Sequence, residues 1–107
     1  MPFTDVCSVS DVPTDCGLRI DLGPEPVAVF KIDDGFYAIE DTCPHGDWSL
    51  AEGYLDGDVI ECSLHMAKFC VKTGEVCAPP AIRDLKVFPI RIERDRVLID
   101  LDPEVGI

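Results

Sequence analysis

The sequence contains two histidines, and each follows closely behind a cysteine. His45 comes two residues after Cys43 in Cys43-Pro44-His45, and His65 comes three residues after Cys62 in Cys62-Ser63-Leu64-His65. Each stretch offers one thiolate and one imidazole from a tight turn. The 16 residues between His45 and Cys62 suffice for a hairpin that brings the two turns side by side. Two sulfurs and two nitrogens then converge, the inventory of either a zinc site or a two-iron, two-sulfide cluster with mixed ligands. Zinc fingers usually gather both cysteines first and both histidines later. Here each turn supplies one of each, an order that suits a cluster in which one iron takes both sulfurs and the other takes both nitrogens. Cys7, Cys16, Cys70 and Cys77 have no histidine close behind them.

Short strands broken by turns must position these segments. Residues 18–22 (LRIDL), 26–32 (PVAVFKI) and 36–40 (FYAIE) carry strand-forming side chains, and Asp34-Gly35 is a hairpin signal. Residues 58–62 (DVIEC) and 68–73 (KFCVKT) follow, the latter ending in the turn Thr73-Gly74-Glu75; residues 86–93 (KVFPIRIE) and 96–101 (RVLIDL) close the chain. Ile90, Ile92, Val97, Ile99 and Leu101 alternate with charged residues, as one buried and one wet face require. Pro89 within such a run calls for an edge strand or a bulge. No segment sustains helical periodicity over three turns, although residues 47–52 have room for one turn. The fold class expected is all-β, a small antiparallel sandwich or barrel with the Cys43 and Cys62 segments projecting as turns.

The composition narrows the function. A chain of 107 residues, 47 % hydrophobic, is one domain with enough apolar side chains for a core. No apolar run approaches the ~20 residues of a membrane span, and the N-terminus has neither a basic start nor an apolar signal core, so a cytoplasmic location is expected. The formal net charge of −12, from 21 acidic against 9 basic residues, disfavours nucleic acid and anionic membranes and would steer the chain toward a basic face on a partner. In a reducing compartment the six cysteines read as metal-binding or buried thiols, and Cys70 and Cys77 are expected as buried thiols instead of a disulfide. The chain has no Gly-rich phosphate loop, no further histidine for a base and no two-histidine, one-carboxylate triad, and it is too short for a flavin or NAD domain. Trp48, Tyr37 and Tyr54 read as core aromatics.

Cys43-Pro44-His45 followed by Cys62-Ser63-Leu64-His65 resembles the Rieske pattern C-x-H…C-x-x-H. The residues between, GDWSLAEGYLDGDVIEC, those behind, KFCVKTGEVCAPPA, and LKVFPIRIE near the end extend the likeness over roughly the whole chain, toward the small Rieske ferredoxins of bacterial aromatic-ring-hydroxylating dioxygenase systems. The resemblance implies a single Rieske domain over residues 1–107. Its cluster-binding subdomain has two hairpin loops near residues 42–49 and 61–68, with a proline loop near 78–81 (Pro79-Pro80) covering the cluster. It implies one [2Fe-2S] cluster, its inner iron on Cys43 and Cys62 and its outer iron on His45 and His65. It further implies a monomeric electron carrier, not itself an enzyme, between an FAD-containing NADH-dependent reductase and a terminal Rieske oxygenase.

High-potential respiratory Rieske proteins carry an extra cysteine in each loop, where Trp48 and Leu64 stand here. They also aim a serine and a tyrosine hydroxyl at the cluster sulfurs, where Ala67 and Phe69 stand here. Both absences, in an acidic chain, imply a potential near the low end of the Rieske range, roughly −150 mV. Met66 stands where many relatives have glycine or an aromatic residue. Two other readings remain: the small subunit of an assimilatory nitrite reductase, which shares the fold but in several cases has lost the ligands intact here, and a redox-silent structural zinc module.

Overall fold

A computed structural model describes residues 3–33, 35–43, 48–62, 67–78 and 83–102. Among the described residues eleven strands run in the order β1 Phe3–Ser8, β2 Leu18–Ile20, β3 Val27–Ile32, β4 Gly35–Glu40, β5 Tyr54–Asp56, β6 Val59–Glu61, β7 Lys68–Cys70, β8 Val76–Ala78, β9 Val87–Phe88, β10 Ile90–Glu93 and β11 Arg96–Asp100. They form three antiparallel sheets, ordered β1-β11-β10, β2-β3-β4-β9 and β5-β6-β7-β8. Among the described residues the only helical turns are the 3-10 turns Val9–Asp11 and Leu50–Glu52. The all-β antiparallel expectation holds, and the single turn read between 47 and 52 falls at Leu50–Glu52.

The middle strand β3 explains how the sheets are stacked. A strand with one wet face alternates, but PVAVFKI is nearly continuous in apolar residues, the pattern of a strand buried on both sides. Val27 and Val29 point into a core shared with Val97, Ile99, Phe88 and Leu101 of the first sheet and its neighbours. Ala28, Phe30 and Ile32 point the other way, into a core shared with Ile39, Leu50, Ile60, Phe69 and Val71. Both cores are thus built on one strand, and the second core carries the third sheet.

Pro89 marks a change of sheet. The run 86–93 breaks there: β9 pairs with β4, whereas β10 pairs with β11. Proline has no N–H for a ladder, but its carbonyl still accepts from the Asp100 N–H at 3.0 Å. The alternation expected around it holds only in part. Val97, Ile99 and Leu101 are buried, whereas Ile92 is 39 % exposed, because it sits beside the β10–β11 hairpin tip, where Arg94 takes φ 59°.

β3 and β4 pair from Val27↔Glu40 to Ile32↔Gly35, so the hairpin falls where the Asp34-Gly35 signal put it, but Gly35 is the first paired residue of β4 and not part of the connection; Asp34 itself lies outside the described residues. The expected strand 68–73 stops at Cys70, because the chain turns back through Gly74 N–H to Cys70 O (2.7 Å) and Cys70 N–H to Glu75 O (2.8 Å). Gly74 has φ 76°, and a β-carbon at this position would run into the Leu85 carbonyl, so a side chain there would be strained and crowded. Strands β1, β5 and β8 were not legible in the sequence.

The whole third sheet is an insertion in the second. It departs after Glu40 and returns at Lys86, and these two residues are neighbours: Glu40 N–H donates to Lys86 O at 2.9 Å, and Lys86 N–H donates to the Glu40 carboxylate at 2.7 Å.

Candidate metal centre

Two hairpin ends of the inserted unit carry the cysteines. In the first, Leu50 N–H donates to Asp41 O at 2.7 Å, Thr42 and Ser49 form a bridge, and Cys43 N–H donates to Trp48 O at 2.9 Å. In the second, Glu61 pairs with Lys68 and Cys62 N–H donates to Ala67 O at 2.8 Å. The last rung is the same in both: a cysteine N–H bonded to the carbonyl five residues on. Each rung closes a four-residue span, 44–47 in one and 63–66 in the other. His45 and His65 belong to these spans, which lie outside the described residues, as do Leu64, Met66 and the proline loop at Pro79-Pro80.

Cys43 and Cys62 are each 1 % exposed and belong to the same apolar cluster, with Leu50, Ile60, Ala67 and Phe69. No disulfide joins either of them to another cysteine. Among the described residues no group of three or more histidine, cysteine or carboxylate side chains gathers as a metal site. What the described residues supply is half of a donor set. Two soft sulfur donors, shielded from water, stand at matching rungs of two hairpins. That fits the thiolate-held iron of a mixed-ligand cluster, with the imidazole half left to His45 and His65. Ala67 and Phe69 are both fully buried and carry no hydroxyl, so neither side chain can donate a hydrogen bond to a sulfur.

Two acidic residues that sequence reasoning passed over hold this unit in place. Asp41 is 1 % exposed; its Oδ1 accepts from Ser49 Oγ at 2.8 Å and from Ala51 N–H at 3.0 Å, and its Oδ2 faces Arg19 Nε at 3.6 Å. One carboxylate therefore ties the start of the first loop to its end. Glu40, 5 % exposed, takes both arms of the Arg83 guanidinium at 2.8 and 2.7 Å besides the Lys86 N–H. Burial pushes the Glu40 carboxyl up, but the Arg83 bonds, the Lys86 N–H and the two positive charges outweigh it, and the group is held below the usual carboxylate range. Asp84 adds a bond from Val76 N–H at 2.9 Å, so the segment from 76 to 84 is fastened at both ends. No spacing rule finds these partners, since Arg83 lies 43 positions beyond Glu40.

Other expected placements need correction. Trp48 is 43 % exposed and Tyr54 65 %, so neither is a core aromatic: Trp48 stands where the first loop ends, and Tyr54 lies on the outer face of edge strand β5. Tyr37 does pack against the core. Cys70 is half-buried and Cys77 exposed, not buried, because both follow inward-facing residues (Phe69 and Val76) and so fall on the outer face of the β7–β8 pair.

Comparison with known proteins agrees with this geometry. The profile of the Rieske [2Fe-2S] domain matches residues 3–89. A biphenyl dioxygenase ferredoxin subunit from Pseudomonas sp. (strain KKS102) is 55 % identical over 101 residues, covering 94 % of this chain and 93 % of that one. The ferredoxin in a solved complex of reduced oxygenase and oxidized ferredoxin of carbazole 1,9a-dioxygenase is similar at 41 % identity, with a TM-score of 0.85 over 92 % of each chain. A solved nitrite reductase small subunit superposes with a TM-score of 0.80 over 92 % of this chain and 98 % of that one, but at 22 % identity it shares the fold alone. With the Rieske profile spanning most of its length and both cysteines at matching buried rungs, the chain belongs to the Rieske [2Fe-2S] domain family and carries one [2Fe-2S] cluster.

Proposed function

We propose that this chain is the ferredoxin component of an aromatic-ring-hydroxylating dioxygenase system, an electron carrier with no catalytic site of its own. It takes single electrons from an FAD-containing, NADH-dependent reductase and delivers them to a terminal Rieske oxygenase. The observation that carries the reading is the pair of buried cysteines at equivalent rungs, in a chain 55 % identical to a ferredoxin subunit of a biphenyl dioxygenase. The likeness to a ferredoxin solved together with its oxygenase supports the partner class. The reading includes a single Rieske domain over residues 1–107 with loops at 42–49, 61–68 and 78–81, acting as a cytoplasmic monomer. Among the described residues no helix is long and apolar enough to cross a membrane.

In this reading Cys43 and Cys62 hold the inner iron, and His45 and His65 the outer one. The cluster, when bound, takes up and gives up one electron. The chain's own part is to exclude water from the sulfur side, to fix the two loops by their closing rungs, and to leave the imidazole side as the exit toward a docked acceptor. Ala67 and Phe69 withhold the hydroxyl donors that would stabilise an electron-rich cluster, and the −12 net charge disfavours adding an electron. Together these support a low-potential carrier, near the lower end of the range of about −150 to +300 mV.

An electron paramagnetic resonance spectrum before and after one-electron reduction tests this. A silent oxidised form and a rhombic signal on reduction support the carrier. A colourless protein, silent in both states and loaded with zinc, would replace it with a structural zinc module.

A further inference from the structure

We infer that Asp41 is a potential-setting residue of this carrier: its carboxylate both closes the first cluster loop and holds the cluster toward its oxidised state. The inference rests on the cluster assignment to Cys43, His45, Cys62 and His65, and it concerns a residue outside that ligand set.

Three observations carry it. Asp41 is among the largest fully buried side chains of the molecule, and Glu40, Asp41 and Asp100 are the buried acidic residues among those described. Among the described residues Ser49 Oγ and Ala51 N–H donate to its Oδ1 and the Arg19 guanidinium faces its Oδ2 as an ion pair, so the group is surrounded as a carboxylate acceptor. It also lies two residues from Cys43, on the chain that enters the loop. Two extended residues span at most about 7 Å, so a separation on the order of 10 Å would be expected between the charge and an iron held on the Cys43 sulfur.

Electrostatics then sets a sign. Reduction adds one negative charge to the cluster, and a fixed negative charge nearby opposes it. At roughly 10 Å and an effective dielectric constant of about 20, a unit charge shifts such an equilibrium about tenfold. Arg19 offsets part of this, and it does so incompletely: its Nε stands 3.6 Å from Asp41 Oδ2, its side chain is 50 % exposed, and it is shared with Asp21 at 3.5 Å. Glu40 is the contrasting case, since its charge is matched by a close bidentate arginine. Asp41 is therefore the buried carboxylate beside the loop whose field is least neutralised.

The experiment is potentiometric titration of the intact holoprotein with Asp41→Asn, Arg19→Gln and Asp21→Asn variants, with the reduced-state resonance spectrum recorded for each. Asp41→Asn is expected to favour reduction by threefold to tenfold, where tenfold is 59 mV for one electron. Arg19→Gln, which exposes the Asp41 field, is expected to move the midpoint the opposite way. Asp21→Asn, an exposed acid on the same guanidinium, is expected to leave it within twofold. A merely structural clamp would broaden the spectrum or lower cluster occupancy without this pair of opposite shifts. An Asp41→Asn midpoint equal to that of Asp21→Asn overturns the inference. If Asp41→Asn does not retain the cluster, Arg19→Gln decides: a lowered midpoint supports the inference and an unmoved one overturns it. A wild-type protein without a rhombic reduced signal would instead sink the cluster assignment, which is a different result.

Discussion

Replacing Arg83 with alanine tests how the inserted sheet is held to the rest of the molecule. The guanidinium makes two bonds to Glu40, at 2.8 and 2.7 Å, and Glu40 has 6 % side-chain exposure against 50 % for Arg83. Removing one partner of a fully buried pair costs about 3–5 kcal/mol, because the other charge is left stranded. Here half of the arginine is in water, and Glu40 keeps the Lys86 N–H, so the expectation falls to about 2 kcal/mol. For a domain of this size that lowers the thermal midpoint by about 10 °C.

The pH dependence has a definite sign. The Glu40 carboxyl is held below its usual range in the folded chain, so the pair stabilises fully above the unfolded carboxyl value of about 4.3. That contribution disappears as pH falls through the lower folded value. The assay is far-UV circular dichroism melting of wild type, Arg83→Ala and Glu40→Gln at a fixed heating rate. The measured quantity is the gap between midpoints, since a cofactor protein does not melt as a simple two-state system. The gap should be wide at pH 7 and should close as pH falls through the lowered folded value of Glu40. A gap under about 2 °C at neutral pH, or one that keeps its width in acid, refutes the reasoning.

Three further outcomes are expected. Of the four thiols outside the cluster ligand set, exposed Cys77 should be the first to react with iodoacetamide in the holoprotein and buried Cys7 the last, as read by peptide mass spectrometry; burial, then Cys70 and Glu75, push the Cys77 thiol up, so its rate should keep rising through alkaline pH. Ala67→Ser combined with Phe69→Tyr should raise the midpoint potential, by about tenfold in the reduction equilibrium for each hydroxyl that reaches a sulfur, and an unmoved potential would remove the missing donors from the explanation of a low value. Stopped-flow electron transfer to the partner oxygenase should slow as salt rises, because steering by a charge of −12 is screened within about 10 Å at 0.1 M salt; rates independent of salt would show that steering plays no part.

The parts of this molecule that were legible in the sequence are those set by neighbours along the chain. β3 and β4 announce themselves by apolar runs around an Asp-Gly turn, β11 by alternation, and Cys43 and Cys62 by the histidine close behind each. Strands that owe their existence to a distant partner were not legible: β1, reading FTDVCS, is a strand because β11 completes its ladder. The buried acids were hidden for the same reason. An aspartate between a strand and a cysteine reads as a solvated turn until Ser49, Ala51 and Arg19 are seen around it. Aromatic residues misled in the opposite direction, since Tyr54 and Trp48 look like core residues by type but lie on an edge strand and beside a loop mouth.

Because the third sheet leaves and re-enters its neighbour at two hydrogen-bonded residues, Glu40 and Lys86, its ends are already as close as strand partners. A unit with such ends is portable. Two adjacent antiparallel strands in a host could receive the ends of residues 41–85 at a turn, with little loop-closure entropy left for the host to supply. Excision is harder than transfer, because Ala28, Phe30 and Ile32 of the host face would be uncovered. A recipient would need to bring an apolar floor and a carboxylate at the neck, the two things this chain provides with β3 and Glu40.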